Sequence, residues 1–222
     1  MEDDDIKRES PRKYHRDGIT HYYRMGKPCR MSSTRDKADT PPTDNQIKYR
    51  EALESAVQFS VNFFLACPAL VPAWNLYGAQ TGKDRLRAFN KENNPVIDAT
   101  SKGVNYFPDF RFSRGDLVPP REARVSRIGW KLFIEWEIPA CPTGRAAPDD
   151  ELLVGYFYES RPDSPQLVAS TGFTRQERKA QVILPSKRFP VVEDVHVFLL
   201  FRRADYQSFS ESRYVGLIRN EG

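Results

Sequence analysis

Residues 128–138 read IGWKLFIEWEI, with Trp130, Leu132, Ile134, Trp136 and Ile138 at every second position and Lys131, Glu135 and Glu137 between them. A period of two predicts a strand with one apolar and one solvated face. Two tryptophans on one such face can bury roughly 150–250 Å² each, enough to make this strand one wall of a core, so both are assigned to it. Further short strands are predicted over 122–126, 152–158, 166–170, 180–184, 195–201 and 213–218, separated by turn-rich stretches such as CPTGRAAPDD and PSKRFP. About seven strands in about 100 residues fit an immunoglobulin-like β-sandwich. The run VHVFLLF (195–201) is apolar on both faces except at His196, so it predicts a central strand, with Phe198 in the core and the helical segment covering its second face.

Upstream the period changes. Pro41 and Pro42 precede Thr43-Asp44-Asn45-Gln46, which has the spacing of a capping box. A helix is predicted from here to about Ala66, ended by Pro68, with Tyr49, Leu53, Ala56, Val57, Val61 and Phe64 facing the core. A second helix over 70–77, closed by Gly78, and a third capped by Thr81 with Leu86 and Phe89 facing inward complete a small helical unit that buries Trp74. Over 96–120 the pattern predicts a short edge strand carrying Phe107, Phe110 and Phe112, then a rigid linker through Pro119 and Pro120.

The first 42 residues show no apolar period, and charge gives them their character. The chain carries a net +4, but residues 6–37 hold ten Lys or Arg against three acids. This reads as an extended basic arm. Within it Tyr14, Tyr22 and Tyr23 interleave with Arg16, Arg24, Lys27 and Arg30. Rings that stack on bases and cations that neutralise phosphate suit single-stranded nucleic acid, and the same mixture suits docking on a protein. These seven residues are the candidate contacts.

Candidate chemistry is sparse. His15 and His21 lack a carboxylate at motif distance, and His196 reads as a structural histidine within a strand. Cys29, Cys67 and Cys141 lack any C-x-x-C spacing, which argues against a disulfide framework or a zinc site. Asp149-Asp150-Glu151 reads as a solvated turn without the ligand spacing of a calcium loop. YGAQTGKD falls short of a phosphate loop, and no nucleophile elbow appears. No catalytic residue, metal, cofactor or small-molecule substrate is expected. The charged start and the absence of an apolar run near ~20 residues predict neither a signal peptide nor a membrane span, and so a cytoplasmic or particle-associated protein.

The series GITHYYRMGKP, TPPTDNQIKYREALESA, NYFPDFRFSRGDL, KLFIEWEIP, DDELLVGYFYE and SESRYVGLI resembles, in order and spacing, a Bacteroidota domain family of unknown function. The C-terminal pieces also resemble a fibronectin type III domain, with Trp136 in the place of its second-strand tryptophan. The resemblance implies a shape and supplies no catalytic residues.

The sequence therefore predicts an α+β chain. Its parts are an N-terminal basic arm (1–42), a small helical unit (43–95), an edge strand and linker (96–120) and a C-terminal immunoglobulin-like or fibronectin-III-like β-sandwich (121–222). The expected role is that of a non-enzymatic structural or interaction protein that docks on a protein partner or self-assembles, as in a phage-like or other repetitive particle. The alternative is a nucleic-acid-binding protein using the arm.

Overall fold

The segment expected to be an extended arm contains three strands, β1 (Tyr14–Arg16), β2 (Ile19–Arg24) and β3 (Lys27–Ser32), paired as an antiparallel meander in that order. The register sets Arg16 against Ile19 and Arg24 against Lys27, leaving two residues per connection, and the sequence supplies Asp17-Gly18 and Met25-Gly26 there. A glycine in such a dipeptide is a sequence signal for a short hairpin connection. β2 itself is rich in β-branched and aromatic residues, Ile19, Thr20, Tyr22 and Tyr23, which favour a strand. The charge of the segment masks this pattern in the sequence.

This computed structural model describes residues 14–16, 19–24, 27–32, 41–75, 82–138, 145–185 and 193–221. Expectations that fall on 1–13, on 33–40, on Gly78, on Thr81 and on Cys141 lie outside the described residues. Met1–Ile47 and Lys48–Gly222 form two units.

Helix α1 (Asp44–Ala66) begins at the predicted capping box: the Thr43 N–H donates to Gln46 Oε1 (3.1 Å), and the Gln46 N–H donates to Thr43 Oγ1 (3.3 Å). A 3₁₀ turn at Pro68–Leu70 leads into α2 (Val71–Asn75), and α3 (Gly82–Asn93) follows. The buried face of α1 differs from the predicted one. It consists of Ser55, Ala56, Phe59, Ser60, Phe63 and Phe64, whereas Tyr49, Leu53, Val57 and Val61 are exposed. Burying three phenylalanines removes more apolar area from water than burying the valines, so the helix is rolled toward them.

No edge strand forms among Phe107, Phe110 and Phe112. Pro108 sits in a 3₁₀ turn, Phe107–Asp109, and side chains satisfy the following backbone. Asn93 Nδ2 donates to the Arg111 carbonyl (3.1 Å) and the Arg111 N–H donates to Asn93 Oδ1 (2.8 Å). The Phe112 N–H donates to Ser212 Oγ (2.9 Å), while Trp74 Nε1 donates to the Phe112 carbonyl (2.9 Å). Backbone groups held in this way need no ladder.

Among the described residues the remaining strands are β4 (Arg121–Ile128), β5 (Lys131–Glu137), β6 (Glu151–Tyr158), β7 (Gln166–Val168), β8 (Lys179–Ile183), β9 (Val195–Arg202) and β10 (Arg213–Ile218). They form two antiparallel sheets, one ordered β4-β5-β8 and the other β10-β9-β6-β7. The chain is thus a mixed α+β protein with its strand-rich part C-terminal.

Alternation along β6 and β9 divides the interior in two. Leu152, Val154, Tyr156, Tyr158, Val195, Val197, Leu199 and Phe201 join Leu132, Ile134 and Trp136 of β5 in one apolar cluster. Leu153, Phe157, Phe198 and Leu200 join Phe59, Phe63, Trp74, Phe89, Phe110 and Phe112 in the other. The central strand read from VHVFLLF is therefore covered on its second face by the helices, because it has no polar face to leave in water. Gly155 lies on that helical face, and a Cβ there would stand 2.8 Å from three atoms of the Phe112 ring. The glycine makes room for the ring.

Candidate functional site

Of the assigned core residues, Trp74, Trp136 and Phe198 are buried. Trp130 sits in the turn before β5, half-buried, and packs on the edge of the inter-sheet cluster. The Trp136 indole donates to the Arg175 carbonyl (3.0 Å). Phe110 and Phe112, expected on an edge strand, are core, and Phe107 is half-buried against His196 with ring centroids 3.5 Å apart.

The seven arm residues are not gathered on one face. Cα partners are Tyr14 with His21, His21 with Arg30 and Arg16 with Ile19, while Tyr22 pairs with Cys29 and Arg24 with Lys27. Pleat alternation then puts positions 14, 16, 21, 23 and 30 on one face of the sheet and positions 22, 24, 27 and 29 on the other. The first set holds Tyr14, Arg16, Tyr23 and Arg30. Tyr22 is half-buried and Thr20, on its face, is buried. The side chains of Tyr14, Arg16, Tyr23, Arg24, Lys27 and Arg30 lie outside the described residues.

The acidic turn is not solvated as a whole. Asp149 is exposed, but Asp150 is fully buried and accepts from the Ala147 N–H (2.8 Å). It pairs with Arg175 at 3.0 Å and with Arg203 at 3.4 Å. Arg175 also donates to the Val118 carbonyl (2.7 Å) and lies 3.9 Å over the Phe201 ring. Burial pulls the Arg175 guanidinium below its ordinary value, opposed by Asp150. Glu151 pairs with Arg202 at 2.5 Å. These pairs, centred on the buried Asp150, Arg175 and Arg202, tie the β6–β9 end of the sheet to the segments beside it. Among the described residues no cluster of three metal-ligating side chains occurs.

His196 has partners on both nitrogens: Glu159 at Nε2, and the Tyr214 hydroxyl at Nδ1 (2.8 Å). A carboxylate can only accept, so Nε2 carries the proton, and neutral Nδ1 accepts from the tyrosine. Burial holds the imidazole below its ordinary value, opposed by Glu159, and burial raises the Tyr214 hydroxyl. A tyrosine pushed away from ionising, beside a histidine enclosed by Phe107, is a satisfied polar network. No motif links His196 to Glu159 or Tyr214, which lie 37 and 18 residues away.

The exposed side of α1 is the feature that the sequence misassigned. Tyr49 (71% exposed), Leu53 (44%), Val57 (39%), Val61 (37%) and Leu65 (77%) form an unbroken i, i+4 ridge. Its C-terminal end borders an apolar groove of about 790 Å³ lined by Val61, Phe64, Leu65, Val71, Arg85 and Leu86. The signal was present as two interleaved apolar series on one helix, of which a single face can bury only one. Among the described residues no single helix is long and apolar enough to cross a membrane; α1 and the Pro68–Asn75 segment would qualify together, but they are bent by 102°. No family model and no curated protein matches this chain.

Proposed function

We propose that this is a non-enzymatic interaction protein in which an immunoglobulin-like or fibronectin-III-like β-sandwich is the rigid scaffold and the basic N-terminal segment is the docking element. Seven strands within about 100 residues, divided three and four with side chains of both sheets in one cluster, support the sandwich reading. Kinship with the Bacteroidota family belongs to the same proposal.

One observation carries the docking role. Residues 1–47 are a unit of their own, and their register puts the positions of Tyr14, Arg16, Tyr23 and Arg30 on one face. Tyrosine and arginine are the residue types that anchor interfaces. The docked surface is that of a protein, either a separate partner or further copies in a repetitive assembly. Tyrosine and arginine positions on one face also favour single-stranded nucleic acid as a second reading.

Light scattering behind size exclusion tests this, run at low and high salt with absorbance read at 260 and 280 nm. The full chain is expected to give assemblies larger than a dimer without nucleic-acid absorbance, and deletion of residues 1–40 should abolish them. Assemblies unchanged by the deletion would refute the docking role. A salt-sensitive peak rich in 260 nm absorbance would replace it with the nucleic-acid reading.

A further inference from the structure

We infer that the exposed ridge of α1 is a two-fold interface between two copies of this chain, with Val57 on the axis. The surface uses none of the arm residues, so this interface and arm docking stand or fall separately.

The spacing of the ridge carries the first part of the argument. Tyr49, Leu53, Val57, Val61 and Leu65 are evenly spaced about Val57, so an antiparallel copy sets Leu53 against Val61 and Val57 against itself. An isologous contact requires such self-matching. Ridges of this i±4 type pack on one another with axes crossing near 50°.

Shape carries the second part. The five side chains have the exposures that would leave about 500 Å² of apolar surface per copy, near the upper end for the largest patch on a monomer. Complete burial of the five in a pair would remove about 1,000 Å², the lower limit of a specific interface. The groove beside Val61 and Leu65 adds to this. Each i, i+4 step turns about 40° around a helix, so the positions of Leu53 and Tyr49 fall toward the side of α1 that carries Phe63 and Phe64, whose rings meet Phe89 of α3 at 4.6 and 5.4 Å. A two-fold axis perpendicular to the helix preserves that side. Tyr49 and Leu53 of one copy therefore reach the groove that Val71, Arg85 and Leu86 wall in the other, and the exchange is reciprocal. A Tyr ring entering beside the Arg85 guanidinium would also gain a cation–π contact, as Phe64 already does at 5.0 Å.

Sedimentation velocity on the full chain, across a concentration series, reads the interface. The expected result is a reversible species of twice the 25.6 kDa chain mass at the lower concentrations, from which the arm-dependent larger assemblies grow as concentration rises, with a dissociation constant in the range of about 1–100 µM for an interface this small. Val57→Glu places two carboxylates face to face on the axis and should weaken the dimer at least tenfold; Val57 is already exposed, so an unchanged far-UV spectrum and melting temperature are expected.

Oxidative cross-linking fixes the geometry against the background of the native cysteines. Val57→Cys should link to its own copy. Leu53→Cys and Val61→Cys should link to each other when mixed. Tyr49→Cys should not link to itself, since it stands about 12 Å along the helix from the axis. A monomer at all concentrations, a dimer indifferent to Val57→Glu, or Tyr49→Cys linking to itself as readily as Val57→Cys would each overturn the interface. Loss of the larger assemblies on deleting residues 1–40, with the dimer intact, would leave it standing.

Discussion

Gly155 tests the packing between the four-stranded sheet and the helices most directly. In Gly155→Ala the new methyl would stand 2.8 Å from Cγ, Cδ1 and Cε1 of Phe112, well inside ordinary carbon contact at 3.5–4.0 Å. The ring has nowhere to go. Its centroid is 4.9 Å from Phe198, 5.3 Å from Phe110 and Phe157 and 5.6 Å from Phe63, and the Phe112 N–H and carbonyl are both held by side chains. Inserting a methylene-sized group into such a core costs about 1–3 kcal/mol. Replacing Gly by Ala gives back about 0.4–1 kcal/mol through the unfolded chain. The net expectation is a loss of about 1–2 kcal/mol. Urea unfolding followed by tryptophan fluorescence should show a lower midpoint at unchanged slope. Because the two sites touch, Phe112→Leu should relieve the clash, making the double variant more stable than the sum of the single losses. A Gly155→Ala protein as stable as the wild type, or strict additivity with Phe112→Leu, would refute the close approach on which the helical cover depends.

Two further outcomes are expected. Asp150→Ala should cost about 3–5 kcal/mol in chemical denaturation because it leaves Arg175 buried without its carboxylate; a loss under 1 kcal/mol would mean that water reaches this pair. Burial lowers the proton affinity of His196 in the native state, so the unfolded chain binds the extra proton and stability falls as pH drops below about 6.5. His196→Gln should flatten that slope between pH 7.5 and 5.5, and equal slopes in the two proteins would show that His196 is not the group responsible.

The sequence by itself determined the C-terminal strands, β4 to β10, and the start of α1. Alternation in KLFIEWEI and its neighbours set β4 to β10 within a few residues, because a half-buried strand has to present one apolar face. VHVFLLF announced a strand covered twice, because it has no face for water. Thr43 and Gln46 fixed the beginning of α1 through a local, reciprocal pair of hydrogen bonds. Only the tertiary structure decided which of the two apolar series on α1 faced inward, since that depends on the area offered by Phe157, Phe198 and Phe112 from elsewhere in the chain. The backbone around Phe112 is another long-range outcome, drawn out of a ladder by Asn93 and Ser212. Asp150 reads as a surface acid until Arg175, 25 residues away, encloses it. The N-terminal meander was written locally in Asp17-Gly18 and Met25-Gly26, but its charge hid it. The α1 ridge became visible as an interface only once the core had taken the phenylalanines and left the valines outside.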